Sequence, residues 1–389
     1  MIRRWLQYAK NYPGWSSKER YLVISCDDFG AVRLANKAAR DYLTQQGLPM
    51  NLYHYDQYDA LESAEDLNIL AETLSSVKDS RGKSAVITGF GMAANIDFAA
   101  MKANGYTEFI NETVDKTFDR LGINDAWQAL QSMQKEGLLA MEFHGREHVH
   151  VGWLMQRLRE QHPQVLANME VESLAGLENA GTKHVDYTAA FAYDSTDELP
   201  QLAEILADGI ALFEQVWGVK PVHFTPPVMK YSRQLDSVLV GNGIEYLDRV
   251  FQDQEYLGYE EDGKGKYKKR FHWQNQTLKT RHTVPANWGV KAASGELHAM
   301  IRNCFFEPMW NPQLDWVNNT MAQIEAAFAM GKPANLATHR VSFVGGIEKE
   351  VRDRGNRDLK NLLLAVKKRW PQVQFVSTRE LGEIMRSKK

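Results

Sequence analysis

Three histidines fall within seven residues of the stretch Ala140–Gly152, AMEFHGREHVHVG: His144, His148 and His150. An acidic pair, Asp27-Asp28, closes the run YLVISCDDFG, and His339-Arg340 closes ANLATHR. Imidazoles and carboxylates bind borderline divalent cations and carry protons near neutral pH. Adjacent carboxylates resist joint ionisation unless a cation neutralises one of them. His144 and His148 are four residues apart, a spacing that sets both on one face of a helical turn. Two imidazoles and one carboxylate would give three protein ligands and leave a position for water, as in catalytic zinc sites. Each motif alone also has an ordinary use. An Asp pair caps a helix, a His-x-x-x-His pair occurs without metal, and a lone histidine is usually a hydrogen-bonded core or rim residue. All three, however, directly follow the most strand-like runs of the chain.

Those runs belong to a repeating pattern. YLVISC (Tyr21–Cys26), SAVITGF (Ser84–Phe90), LLAMEF (Leu138–Phe143), KPVHF (Lys220–Phe224) and ANLAT (Ala334–Thr338) read as buried strands. Helical spacing marks Leu34–Gly47, Asp125–Gly137, Asp197–Gly218, Ser232–Gly243 and Leu314–Gly331. The C-terminal region predicts helix, strand and helix in NRDLKNLLLAVKKRW, VQFVS and TRELGEIMRS. Alternating strands and helices imply βαβ units, and so many of them fit an α/β fold of the β/α-barrel type, read here as one domain over residues 1–389. Gln252–Met309 breaks the rhythm and reads as an insertion beside the barrel mouth. In such barrels the chemistry sits at the C-terminal ends of the strands, where the three polar motifs stand.

Composition narrows the classes. Apolar residues make up 44% and charged residues 24% of 389, with a formal net charge of -3. A large core is expected. Without a long Lys/Arg run, nucleic acid is not an expected partner; KGKYKKR (Lys264–Arg270) reads as a solvated loop or hairpin. Two cysteines, Cys26 and Cys304, exclude a disulfide framework and a cysteine-rich zinc site, and two buried thiols are expected. The N-terminus lacks the apolar core of a signal peptide, and no apolar run approaches the roughly 20 residues that cross a bilayer. The expectation is a cytoplasmic protein with no membrane partner.

The motif order resembles the polysaccharide deacetylase family, the NodB-homology group of carbohydrate esterase family four, from about Tyr21 to the C-terminus. VISCDDFG is similar to the family's first motif, which implies Asp27 as catalytic base and Asp28 as metal ligand. HGREH is similar to the second, which implies His144 and His148 as the remaining ligands. LATHR is similar to the last, which implies His339 as catalytic acid. The resemblance implies a distorted, often seven-stranded, β/α barrel. It also implies one divalent ion, zinc foremost, with Co, Ni, Mn or Fe fitting the same ligands. The activity implied is removal of an N-acetyl, less readily an O-acetyl, group from a carbohydrate.

The sequence departs from the family in places. The third motif carries an arginine that orients the base, but FTPPVMKYS has Thr225 there; Arg146, Arg302 and Arg340 are the candidates to replace it. Asp315-Trp316 stands for a further Asp-Trp motif, and Phe29 displaces the glycine after the Asp pair. Candidate substrate contacts are Arg146, His150 (a partner of the ligands or an extra one), Asn95 with Asp97, Thr225, Arg302, and Trp316 or Trp310 as a sugar platform. For Asn95 and Asp97 an Asx-capped turn is the plainer use, and Cys26 reads as an inert core thiol. Two other functions fit the same residues: another metal-dependent hydrolase of C–N bonds, and a carbohydrate-binding protein without activity, which the absent arginine at 225 favours.

Overall fold

The apolar runs become the staves of one curled sheet. The computed structural model describes residues 8, 9, 11, 15–177, 186–248, 252–259, 265–271, 281–283 and 296–387. Eight strands form the sheet's path: β1 (Tyr21–Phe29), β2 (Ile87–Met92), β3 (Leu139–Gly145), β4 (His223–Phe224), β5 (Tyr246–Asp248), β6 (Glu296–Met300), β7 (Cys304–Phe305) and β8 (Ala334–His339). Their order is β6-β5-β4-β3-β2-β1-β8-β7, all neighbours parallel. This is the cyclic order of a β/α barrel opened at one place, between β6 and β7. The sheet is a strongly curled half-barrel. Only Ile301–Asn303 separate the two edge strands along the chain, so Met300 and Cys304 lie no more than about 14 Å apart. Arg281–Thr283 adds an antiparallel strand on β6, and Gln374–Phe375 pairs with the foot of β1.

The strand count is therefore eight where seven were expected. The reason is local. One extended run, 296–305, pairs first with β5 and then with β8, and its break at Ile301–Asn303 divides it in two. The expected insertion Gln252–Met309 is reduced for the same reason, since β6 and β7 are strands of the main sheet. Gln252–Tyr259 and Gly265–Phe271 pair as an antiparallel hairpin. Residues 260–264, 272–280 and 284–295, and the hairpin's relation to the barrel mouth, lie outside the described residues.

Alternation along β1 sorts its side chains. Leu22, Ile24 and Cys26 join the large core beneath the outer helices, while Tyr21 and Val23 join an inner cluster with Tyr246, Met300, Leu381 and Met385. The C-terminal helix Thr378–Ser387 thus plugs the N-terminal end of the barrel. Its Gly382 lies where a Cβ would stand 2.4 Å from the Tyr246 ring, so only glycine admits that approach. Above the plug the inward face turns polar: Ser25 Oγ donates to Asn335 Oδ1 at 2.8 Å, and Asp27 ends the same row. Cys26 and Cys304 are buried free thiols. No described helix is long and apolar enough to cross a membrane.

Candidate active site

In a regular strand Asp27 and Asp28 would face opposite sides of the sheet. The structure brings both to one side with a β-bulge. Cys26 pairs with Gly89 and Phe29 with Gly91, so Asp27 and Asp28 together oppose Phe90 alone. Asp28 adopts φ 76°, left-handed backbone that aspartate tolerates better than most residues. A second register shift, between Gly91 and Met92, leaves His144 unpaired on β3. Two bulges on neighbouring sides of β2 thus re-aim Asp28 and His144 into the same space.

His144 and His148 do not share a helical turn, as their spacing suggested. His144 lies in β3, and His148 lies in the loop before the helix Val151–Arg159. The bulge on β3 and the bends after Gly145, rather than helical repetition, bring them together. Ligand atoms of Asp28, His144 and His148 lie within 4.8 Å of one another. His144 Nδ1–H donates to the Thr225 carbonyl at 2.7 Å, which leaves Nε2 to face the site. His144 Nε2 and His148 Nε2 stand 3.2 and 3.3 Å from the same oxygen, Asp28 Oδ1. A neutral His144, whose one ring proton is on Nδ1, would oppose its Nε2 lone pair to that carboxylate. The contact requires a proton or a cation between them. Burial would raise the Asp28 carboxyl, but its hydrogen bonds from His144 and His148 outweigh this and hold it well below the usual range.

Asp27 is held from the far side by Arg302. The guanidinium donates Nη1 to Oδ2 and Nη2 to Oδ1, both at 2.7 Å. Its Nε donates to Asp248 Oδ2 at 2.7 Å, and Nη2 also donates to Thr225 Oγ1 at 2.9 Å. The Thr225 hydroxyl in turn donates to Asp248 Oδ2 at 2.6 Å. Burial would raise Asp248, but Arg302 and His223 keep it far below the usual carboxylate range. Of the three arginines considered, Arg302 is the one bonded to Asp27. It stands in the break between β6 and β7, where the chain changes partner and its side chain turns to the barrel interior. Thr225 occupies the strand-end position and bonds to that guanidinium.

Asp27 pairs in register with His339 across β1 and β8, and His339 Nε2 is 3.7 Å from Asp27 Oδ2. The other ring nitrogen meets Glu307 Oε1 at 2.5 Å, and Glu307 is 1% exposed. Burial disfavours a charged imidazole here, yet the Glu307 carboxylate, with Asp27 and Asp28 near, lifts His339 to about 10. Glu307, like Asp248, is a site residue that sequence reasoning missed. Its signal was an acid directly after the strand-like CFF, read instead as part of an insertion.

These residues open on a cavity of about 360 Å³. Thr225, Asp248 and Arg302 line it, together with Arg33, Tyr53, Tyr55, Asp186, Thr188, Pro226, Val228, Met229 and Phe305. Val228 and Met229 both have φ 55°, a strained backbone for a β-branched residue. Tyr53, Val228 and Phe305 are also among the few large apolar side chains left exposed among the described residues.

The structure moves the other candidates away from the cavity. Arg146 is taken up by Glu147 and Asp208. His150 caps the helix Val151–Arg159 through Nδ1, which accepts from Trp153 N–H, while its Nε2–H donates to Ala192 O; burial lowers it to about 4. Asn95 bonds the turn after β1 and Thr117, and Asp97 is a helix cap, accepting from Ala100 N–H. Trp316 is 7% exposed and opens the helix Trp316–Ala329, which Asp315 caps. Of the platform tryptophans only Trp310 is exposed.

No family model and no curated protein matches the chain by sequence. Remote likenesses appear among solved structures. A protein from Mycobacterium smegmatis described as a polysaccharide deacetylase is 15% identical, covering 97% of this chain and 94% of that one at a TM-score of 0.42. An allantoinase is 12% identical over 96% and 92%, TM-score 0.42. A 4-alpha-glucanotransferase from Thermococcus litoralis is 9% identical over 94% and 40%, TM-score 0.44. With likenesses this remote, the side chains themselves carry the functional reading.

Proposed function

We propose that the protein is a cation-dependent hydrolase that removes an acetyl group from an N-acetylated carbohydrate. The observation that carries this reading is the pair of imidazole Nε2 atoms aimed at one buried carboxylate oxygen, at 3.2 and 3.3 Å. His144, with Nδ1–H fixed on a backbone carbonyl, is set as an Nε2 ligand. Charge supports the same reading. The buried acids Asp27, Asp28, Asp56, Asp59, Glu62, Asp248 and Glu307 outnumber the cations around them, Arg33, Arg302, Arg340 and a protonated His339. A divalent ion offsets that excess. Asp28, His144 and His148 would hold it, and zinc suits two nitrogens and one oxygen.

When bound, the ion supplies Lewis acidity toward a carbonyl and lowers the pKa of water. The protein's own residues do the rest. Asp27 keeps a free lone pair on each oxygen beside its Arg302 bonds, and takes the proton of the attacking water. Arg302 fixes the orientation of that carboxylate. His339, protonated through Glu307, delivers a proton to the departing amine, which leaves poorly as an anion. The exposed aromatic rings of Tyr53 and Phe305, both lining the cavity, offer faces for a sugar.

The cavity volume also favours a second reading. About 360 Å³ suits one small ligand, so a hydrolase of a small amide or imide uses the same parts. The non-catalytic reading loses its support, because its only ground was the arginine missing at 225 and Arg302 supplies one at Asp27. The test is metal analysis of the purified protein, then acetate release from N-acetylated sugars beside turnover of small cyclic imides. One bound ion and acetate release are expected. Imide turnover without acetate release would select the second reading, and the absence of both ion and turnover would end the first.

A further inference from the structure

The site depends on the bulge at Asp28, and strained backbone of that kind persists only where its surroundings hold it. Here the holding groups come from distant parts of the chain. Ala31 N–H donates to Asp28 O at 3.1 Å, so the turn after β1 is continuous with the bulge. Gly30 N–H donates to Glu62 Oε1 at 2.9 Å. Asn95 accepts from Val32 N–H at 2.9 Å and donates to Gly30 O at 2.8 Å. Arg340 completes the set: Nη1 donates to Ala31 O at 2.8 Å and to Glu62 Oε2 at 2.7 Å, and Nη2 donates to Asp59 Oδ1 at 2.7 Å. Arg340 is 1% exposed and does not line the cavity. Gly30 itself has φ 76°, and a Cβ there would stand 2.7 Å from Val114, so the turn cannot be rebuilt with another residue.

We infer that Arg340 is a positioning residue for the cation centre. It locks the turn after β1, and through that turn holds Asp28 at the angle that meets His144 and His148. The inference rests on reading those three residues as cation ligands. Arg340 directly follows His339, so β8 delivers the proposed acid to the cavity and, one residue later, the clamp to the ligand's turn. Lysine could not replace it, because one guanidinium reaches a carbonyl and two carboxylates at once through a rigid fork.

The experiment titrates the metal-free full chain with Co²⁺, reading the dissociation constant and the visible absorption bands. Wild type, His148→Ala, Arg340→Lys, Glu62→Gln and Asp79→Asn are compared. Asp79 is a buried acid on the loop before β2 that bonds Arg81 and Phe375 N–H, away from the site, so its variant controls for general destabilisation. Wild type is expected to bind one equivalent and His148→Ala none. Arg340→Lys and Glu62→Gln are expected to bind about 10–100-fold more weakly with altered bands, and Asp79→Asn to match wild type. Glu62→Gln preserves shape and decides alone if Arg340→Lys does not fold. Wild-type-like affinity and bands in both clamp variants would overturn the inference. Absence of Co²⁺ binding by wild type would instead overturn the cation reading beneath it.

Discussion

Two buried acids stand in successive inner layers of the barrel. Glu142, two residues before His144 on the inward face of β3, is 0% exposed. Its Oε2 accepts from Val222 N–H and His223 N–H, and its Oε1 accepts from Arg379 Nε. Every partner is a donor, and burial is what raises its pKa. Asp28, one layer higher, meets two imidazole Nε2 atoms, and that of His144, whose Nδ1–H is given to the Thr225 carbonyl, donates only when the ring is charged. One carboxylate is closed by the fold, whereas the other has neighbours suited to sharing a cation. A buried charge is evidence for function only when its partners leave it chemically incomplete.

The sharpest break between the two layers is His148→Ala. The bound ion and all measurable turnover should be lost, while the fold survives because His148 lies in a loop at the cavity wall. Metal analysis beside a far-UV circular dichroism spectrum checks both halves. Retention of a full equivalent of ion would remove the difference drawn between Asp28 and Glu142. Next comes Asp27→Asn, which keeps shape and the Arg302 contact on one oxygen. The ion should stay and turnover should fall by about 10²–10⁴-fold. Near-native turnover on a true substrate would show that Asp27 is not the base. A smaller and opposite signature belongs to Glu142→Gln. It should cost about 1–3 kcal/mol in denaturant unfolding, by turning an acceptor into a donor opposite Arg379, with unchanged affinity for the ion. A weakened ion site would mean that the two layers are coupled.

The sequence made part of this legible. Strand-end polar residues were readable because barrel topology puts them at one mouth, and Asp27, Asp28, His144 and His339 do gather there. The helix Ala64–Ser75 was overlooked despite its Ser63/Asp66 capping box, a signature visible in SAED. The bulges at Asp28 and His144 were not legible, because they arise from register across β2 rather than from local propensity. Nor could the sequence choose, among Arg146, Arg302 and Arg340, the arginine that meets Asp27; it is Arg302, 275 positions away. Only closure of the sheet makes these two neighbours. The same holds for Glu307, which became a site residue once β7 was seen to pair with β8.

The finest prediction concerns that last pair, where the barrel again leaves a buried acid with an ionisable partner. With a folded pKa of about 10, against an ordinary value near 6.5, His339 binds a proton more tightly in the fold. Its contribution to stability is therefore complete below about 6.5 and is lost as pH rises through about 10. If His339 is the acid, turnover should hold across neutral pH and fall on the alkaline side as the imidazolium loses its proton. Glu307→Gln removes the carboxylate that raises it and leaves the burial that lowers it. The alkaline limb of kcat should then move to lower pH, while metal affinity at neutral pH stays within a few-fold. A pH–rate profile from 6 to 10.5, paired with imidazole NMR of His339 in both forms, reads the shift directly. An alkaline limb unmoved by Glu307→Gln would assign that limb to another group and return Glu307 to the company of Glu142, an acid that serves the fold alone.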